Sequence, residues 1–207
     1  MTSEKILKKL IEIRQTETDI STNLINDFIK EIKEEINQKS AKKNGLNKLR
    51  KGMIKIQKEN KKATFGSICG ISKKDDILIS GNAYQAIFTK NKMEFDNVRN
   101  DTPDVFLKVY KEIESLNGWE EITNNLPTVA DLKGFISEHK EEKKLNGFIM
   151  YNVLLPTEKY AINANYLLDM LNCGMTKAYY KNGLPYAVFT DDNENTKAIT
   201  MFCRVRS

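Results

Sequence analysis

Histidine occurs once in these 207 residues, at His139, and cysteine three times. Ordinary zinc sites need several His or Cys ligands close together, a supply this chain lacks. Cys69, Cys173 and Cys203 stand far apart in apolar surroundings with no Cys-x-x-Cys pair, the pattern of buried free thiols rather than of a disulfide or a metal site. His139 lies in the charged run Glu138-His139-Lys140-Glu141, where a solvated side chain is expected rather than a general base. A glycine-rich phosphate loop closing on Lys-Ser/Thr and a Gly-x-Ser-x-Gly elbow are both missing. Asp191, Asp192 and Glu194 have the composition of a hairpin turn more than of a cation site. The chain is thus expected not to be an enzyme and to need no cofactor. No apolar run approaches the roughly 18 residues of a membrane span, and the stretch Thr2 to Arg14 is charged and amphipathic rather than a signal peptide. A soluble, cytoplasmic protein with no membrane contact is expected.

Positive charge is present, and it is local. The formal net charge is +5, but the segment Lys39 to Lys62 holds ten Lys/Arg against Glu59 alone, whereas the residues before and after it are each mildly acidic. Lys39, Lys42, Lys43, Lys48, Arg50, Lys51, Lys55 and Lys58 are therefore candidate contacts to a polyanion such as double-stranded DNA. The competing reading is a solvated face in a lysine-rich protein, and the segment contains no aromatic residues to stack on bases.

Periodicity divides the chain into alternating helical and extended stretches. Ile6, Leu7, Leu10, Ile11 and Ile13 predict one amphipathic helix, and Leu24, Ile25, Phe28, Ile29, Ile32 and Ile36 a second. Leu46, Leu49, Met53 and Ile56 continue at helical spacing after Gly45, with strand in part near Met53 to Ile56 as the alternative. Phe65 to Ile71, Ile77 to Ser80 and Tyr84 to Thr89 predict a three-stranded meander. Helices follow over Asp104 to Leu116 and from Thr128 to about Lys144, then a strand over Phe148 to Leu155. Tyr160 to Arg206 predicts a strand, a helix over Asn163 to Cys173 capped by Asn163 or Asn165, and three strands broken at Asn182-Gly183 and Asp191 to Asn195. Residues 1–62, with the basic segment 39–62, and residues 63–207 form two regions expected to fold together as one compact α+β domain.

Within the last unit, Asn163, Tyr166, Leu167, Leu168, Asp169 and Leu171, then Pro185, the acidic loop Asp191 to Asn195 and Met201-Phe202-Cys203-Arg204 occur in fixed order. This succession resembles the carboxy-terminal end of the bacterial DNA polymerase III β sliding clamp. The resemblance covers under a quarter of the chain and weakens at Ile79 to Ala86, which keeps Gly81 and Tyr84 but lacks the family's Asp and Arg. It implies a DNA-clamp-like fold of two βαβββ halves with antiparallel sheets and additional helices. It implies a non-enzymatic, DNA-associated or protein-docking module, in reduced single-domain form, tied to replication in a mobile element. It also implies a peptide-binding surface at Leu184, Pro185, Ile199, Thr200, Met201 and Cys203, for which ordinary core packing is the competing reading. The family's helices present cations to the duplex, whereas Ala164 to Cys173 carries only Asp169. Any DNA contact is therefore expected from the amino-terminal basic segment. The alternative is a protein-interaction or regulatory factor that reuses the fold without nucleic acid.

Overall fold

A computed structural model describes residues 22–43, 45–59, 70–96, 98–157 and 159–205, together with residues 4, 6–8, 10 and 11, which are helical. Most of the first expected helix, the start of the meander before Gly70, Cys69, Lys61 and Lys62 lie outside the described residues.

The helices are α1 (Thr22–Lys43), α2 (Asn47–Glu59), α3 (Asp104–Ile113), α4 (Val129–Glu138), α5 (Lys140–Asn146) and α6 (Ala164–Asn172). The strands are β1 (Gly70–Lys74), β2 (Ile77–Gly81), β3 (Gln85–Thr89), β4 (Val98–Arg99), β5 (Glu120–Glu121), β6 (Met150–Tyr151), β7 (Tyr160–Asn163), β8 (Lys177–Tyr180), β9 (Tyr186–Thr190) and β10 (Thr196–Arg204). The basic segment around Met53 to Ile56 is helix throughout, because Leu49, Met53 and Ile56 bury one stripe of α2 against the sheet.

The strands join in one sheet of order β4-β1-β2-β3-β10-β9-β8-β5, antiparallel except for the β1–β4 pairing. Two meanders, β1-β2-β3 and β8-β9-β10, meet at its centre, where Thr196 to Thr200 of β10 pair antiparallel with Thr89 to Gln85 of β3. Beyond Met201 the long β10 strand leaves β3 and pairs through Phe202, Cys203 and Arg204 with β7, which in turn carries β6.

Both faces of this sheet are covered. Alternate residues of the central strands point to opposite sides: Leu78, Ile87, Phe189 and Ala198 pack with α2, α4 and α6, while Ile79, Phe88, Val188 and Ile199 pack with Phe106, Tyr110 and Ile113 of α3. Gly81 makes room for α3, since a Cβ there would lie 2.5 Å from the Phe106 ring. At the far end of α3 the buried Lys197 ammonium donates to the Glu114 carbonyl at 2.9 Å, an unpaired acceptor of the last turn. Burial lowers the pKa of that lysine, as desolvation disfavours its charged form.

The helix expected from Thr128 to Lys144 is divided at His139 into α4 and α5. Thr128 caps α4 through the Asp131 N–H at 3.1 Å. His139 is not simply solvated: its ring stacks on Phe135 with centroids 4.0 Å apart. Of the two candidate caps of α6, Asn163 fills the role, its Oδ1 accepting from the Asn165 N–H at 3.0 Å. The expected strand over Phe148 to Leu155 is reduced to Met150–Tyr151.

Candidate nucleic-acid interface

The eight basic candidates divide by position. An α-helix turns 100° per residue, so Lys48, Lys51, Lys55 and Lys58 fall within one narrow sector of α2, and all four are exposed. Leu49, Met53 and Ile56 occupy the opposite sector, within the core. The row from Lys48 to Lys58 is about 15 Å long, roughly four base pairs of duplex at 3.4 Å each. Lys39, Lys42 and Lys43 are exposed on the last turns of α1, with Lys39 bridged to Glu35 one turn earlier.

Arg50 is a correction. Expected on the basic surface, it is only 1% exposed. Its two terminal nitrogens each donate to a Glu34 carboxylate oxygen of α1 at 2.7 Å, its Nε donates to the Glu94 carbonyl at 3.3 Å, and the guanidinium lies 5.2 Å from the centroid of Phe95. A planar fork suits this bidentate, stacked site as a lysine ammonium does not. The hydrogen bonds from Arg50 hold the Glu34 carboxyl below its ordinary pKa, outweighing the opposing effect of burial. Arg50 therefore fastens α1 to α2 and to the stretch at Glu94 and Phe95.

Asp169, the one charged residue of α6, is buried and ion-paired with Lys55. The two helices approach closely beside this pair. A Cβ on Gly52 of α2 would stand 1.9 Å from Cys173 Sγ, so glycine is what allows the contact. The Cys173 thiol is pushed up to about 12, chiefly by burial and then by the Asp169 charge, which keeps it a thiol. Gly52 to Cys173 and Lys55 to Asp169 together show that α2 and α6 run antiparallel.

The six residues of the expected peptide surface are brought only partly together. Pro185 is exposed beside β10, its carbonyl accepting from the Phe202 N–H at 2.8 Å. Leu184 and Met201 are half-buried at the margin of the α3-side core. Ile199 belongs to that core under α3, at 5% exposure, and Thr200 is fully buried. Cys203 is half-buried opposite Ala161 of β7, and burial raises its pKa. A surface of Leu184, Pro185 and Met201 remains. The missing signal was α3, which sequence periodicity did not place over this side of the sheet.

Among the described residues there is no group of three or more His, Cys, Asp or Glu positioned to hold a metal ion. Nor is any described helix long and apolar enough to cross a membrane. No protein-family model, curated protein or solved structure matches the chain.

Proposed function

We propose that the chain is a non-enzymatic, clamp-like module that contacts duplex DNA through the exposed lysine row of α2. The observation that carries this reading is the separation of cations on that helix: Lys48, Lys51, Lys55 and Lys58 face outward, while Arg50 turns inward to Glu34. Lys55 is compensated by Asp169, but Lys48, Lys51 and Lys58 stand as like charges on that exposed face, where an anionic partner would offset their mutual repulsion.

The topology supports the clamp-like half of the reading. A helix followed by three antiparallel strands occurs twice, as α2-β1-β2-β3 and as α6-β8-β9-β10. The two copies meet through β3 and β10, with their helices side by side on one face of the sheet. In the sliding clamps that the carboxy-terminal unit resembles, paired helices of this kind face the duplex. Here the first copy's helix carries the cations and the second is neutralised where Asp169 meets Lys55. A role in replication, as part of a ring built from several chains, follows from this reading.

The test is anisotropy of a labelled duplex of about 20 base pairs. Phosphate contacts by Lys48, Lys51 and Lys58 give a log K against log salt slope of about −2.7, a loss on the order of 40-fold between roughly 50 and 200 mM salt. Replacing these three lysines by Glu abolishes that dependence. Negligible affinity for duplex, or full affinity in the Glu variant, overturns the DNA reading. The second reading, a protein-docking module without nucleic acid, rests on the Leu184, Pro185 and Met201 surface. It predicts partner binding that Met201→Asp abolishes and the lysine changes leave intact.

A further inference from the structure

At the carboxy-terminal end of α3 a small cavity opens beside the β9–β10 turn, on the face of the sheet away from α2. It measures about 170 Å³, well above the roughly 10–15 Å³ that one water needs and below the roughly 300–1,000 Å³ of pockets for drug-sized ligands. The sequence brings its lining together in two ways. Phe88 and Lys197 are paired across β3 and β10, so both point to the α3 side. Tyr110 and Glu114 follow one another by one turn along α3. The Phe88 and Tyr110 rings, 5.5 Å apart, give the cavity an apolar wall. Lys90, Lys197, Glu114 and Glu194 give it charges of both signs.

Lys197 is what makes this a built site. Its side chain is only 8% exposed, and a lysine ammonium carries three N–H donors. One goes to the Glu114 carbonyl at 2.9 Å, whereas the Glu194 carboxylate, at 4.0 Å, is beyond hydrogen-bond reach. A buried ammonium with donor capacity to spare gains from a further acceptor. Lys90 and the Glu114 carboxylate also stop at 4.0 Å. Two ammonium–carboxylate pairs thus flank one cavity without closing on each other. An anion alone meets the repulsion of Glu114 and Glu194 there, and a cation alone that of Lys90 and Lys197. We propose that the cavity binds a small zwitterion, an α-amino acid of the size of glycine or alanine. Its carboxylate accepts from Lys197 and Lys90, and its ammonium donates to Glu114 and Glu194 at the negative end of the α3 dipole. The site stands whether or not α2 binds nucleic acid.

The experiment is an NMR titration of the isotope-labelled full chain at constant ionic strength with three probes: L-alanine, acetate, which carries only the anion, and ethylammonium, which carries only the cation. Alanine shifts the amide signals of Glu114, Glu194 and Lys197 saturably, with a Kd on the order of 1 mM. Acetate and ethylammonium each leave one pair of charges unmet and bind at least about tenfold more weakly. Lys197→Met, which keeps the apolar stem, abolishes the saturable shifts. Glu194→Gln, on an exposed turn, weakens alanine binding at least about fivefold and decides the matter should Lys197→Met fail to fold. The absence of saturable shifts up to about 50 mM alanine overturns the proposal. So does acetate or ethylammonium binding as tightly as alanine, or full alanine affinity in either variant.

Discussion

Replacing Glu34 by Gln is the sharpest perturbation of the amino-terminal packing. Arg50 is 1% exposed and gives both terminal nitrogens to the Glu34 carboxylate at 2.7 Å. In the variant one oxygen still accepts, but the new amide N–H₂ faces the second guanidinium donor, and the buried cation loses its counter-charge. A lost hydrogen bond to a charged group costs about 1.5–3 kcal/mol, and breaking a fully buried pair about 3–5 kcal/mol. The Glu34 side chain is 33% exposed, so solvent screens part of the change and about 2–3 kcal/mol is expected. At about 2–4 °C per kcal/mol for a chain of this size, Tm falls by roughly 4–12 °C. Circular dichroism melts across pH supply the second arm. The folded pKa of Glu34 is depressed below 4.5, so its stabilisation is fully present above that value and disappears as pH falls through the folded pKa. The gap between wild type and Glu34→Gln is accordingly constant from neutral pH to about pH 5 and closes in more acidic solution. A loss below about 0.5 kcal/mol at neutral pH, or a gap unchanged by acid, refutes the assignment of Arg50 to structure.

Other consequences follow from the α2–α6 contact. Gly52→Ala drives a methyl group into Cys173 Sγ and destabilises by about 1–3 kcal/mol in urea unfolding. In a Cys173→Ala background the same change is stabilising by up to about 1 kcal/mol, the helix propensity difference between Ala and Gly; a loss of equal size in both backgrounds contradicts the contact. Asp169→Asn removes the carboxylate paired with Lys55, so duplex affinity rises and the salt slope steepens by about one contact; unchanged binding places Lys55 away from the phosphates. With Cys69 replaced by Ser, Cys203 reacts with Ellman's reagent at pH 8 well before Cys173, whose pKa of about 12 leaves on the order of one thiolate in 10⁴. Comparable rates for the two thiols disagree with the burial of Cys173.

The elements were more legible than their layering. The stripe of Tyr166, Leu167, Met170 and Leu171 and the turn residues Gly174, Asn182 and Gly183 delimit α6, β8 and β9, because caps and turns are local signals. Helix spacing in Leu49, Met53 and Ile56 was equally local, and burial of that stripe decided helix over strand. The place of α3 was harder. Its cue lay in Ala86-Ile87-Phe88 and Ala187-Val188-Phe189, consecutive apolar residues without alternation, which signal strands covered on both faces. Such runs do not say which helix supplies the second cover, so for Ile199 a peptide-binding surface and core packing were both open, and it lies in the core under α3. Arg50 was misplaced for a related reason. Within a run of cations only its angular position on α2, on the core side of the lysine row, separates it from Lys51, and Glu34 lies 16 residues away in another helix.

Lysine footprinting is the most direct measurement of the central claim. The protein is treated with an amine-reactive reagent at low salt, with and without saturating duplex, and modification at each lysine is read by mass spectrometry. Lys48, Lys51 and Lys58 of α2 are protected by duplex, while Lys108 and Lys111, exposed on α3 across the sheet, keep their reactivity. Protection of the α3 lysines instead, or equal protection on both faces, contradicts a nucleic-acid interface built on α2.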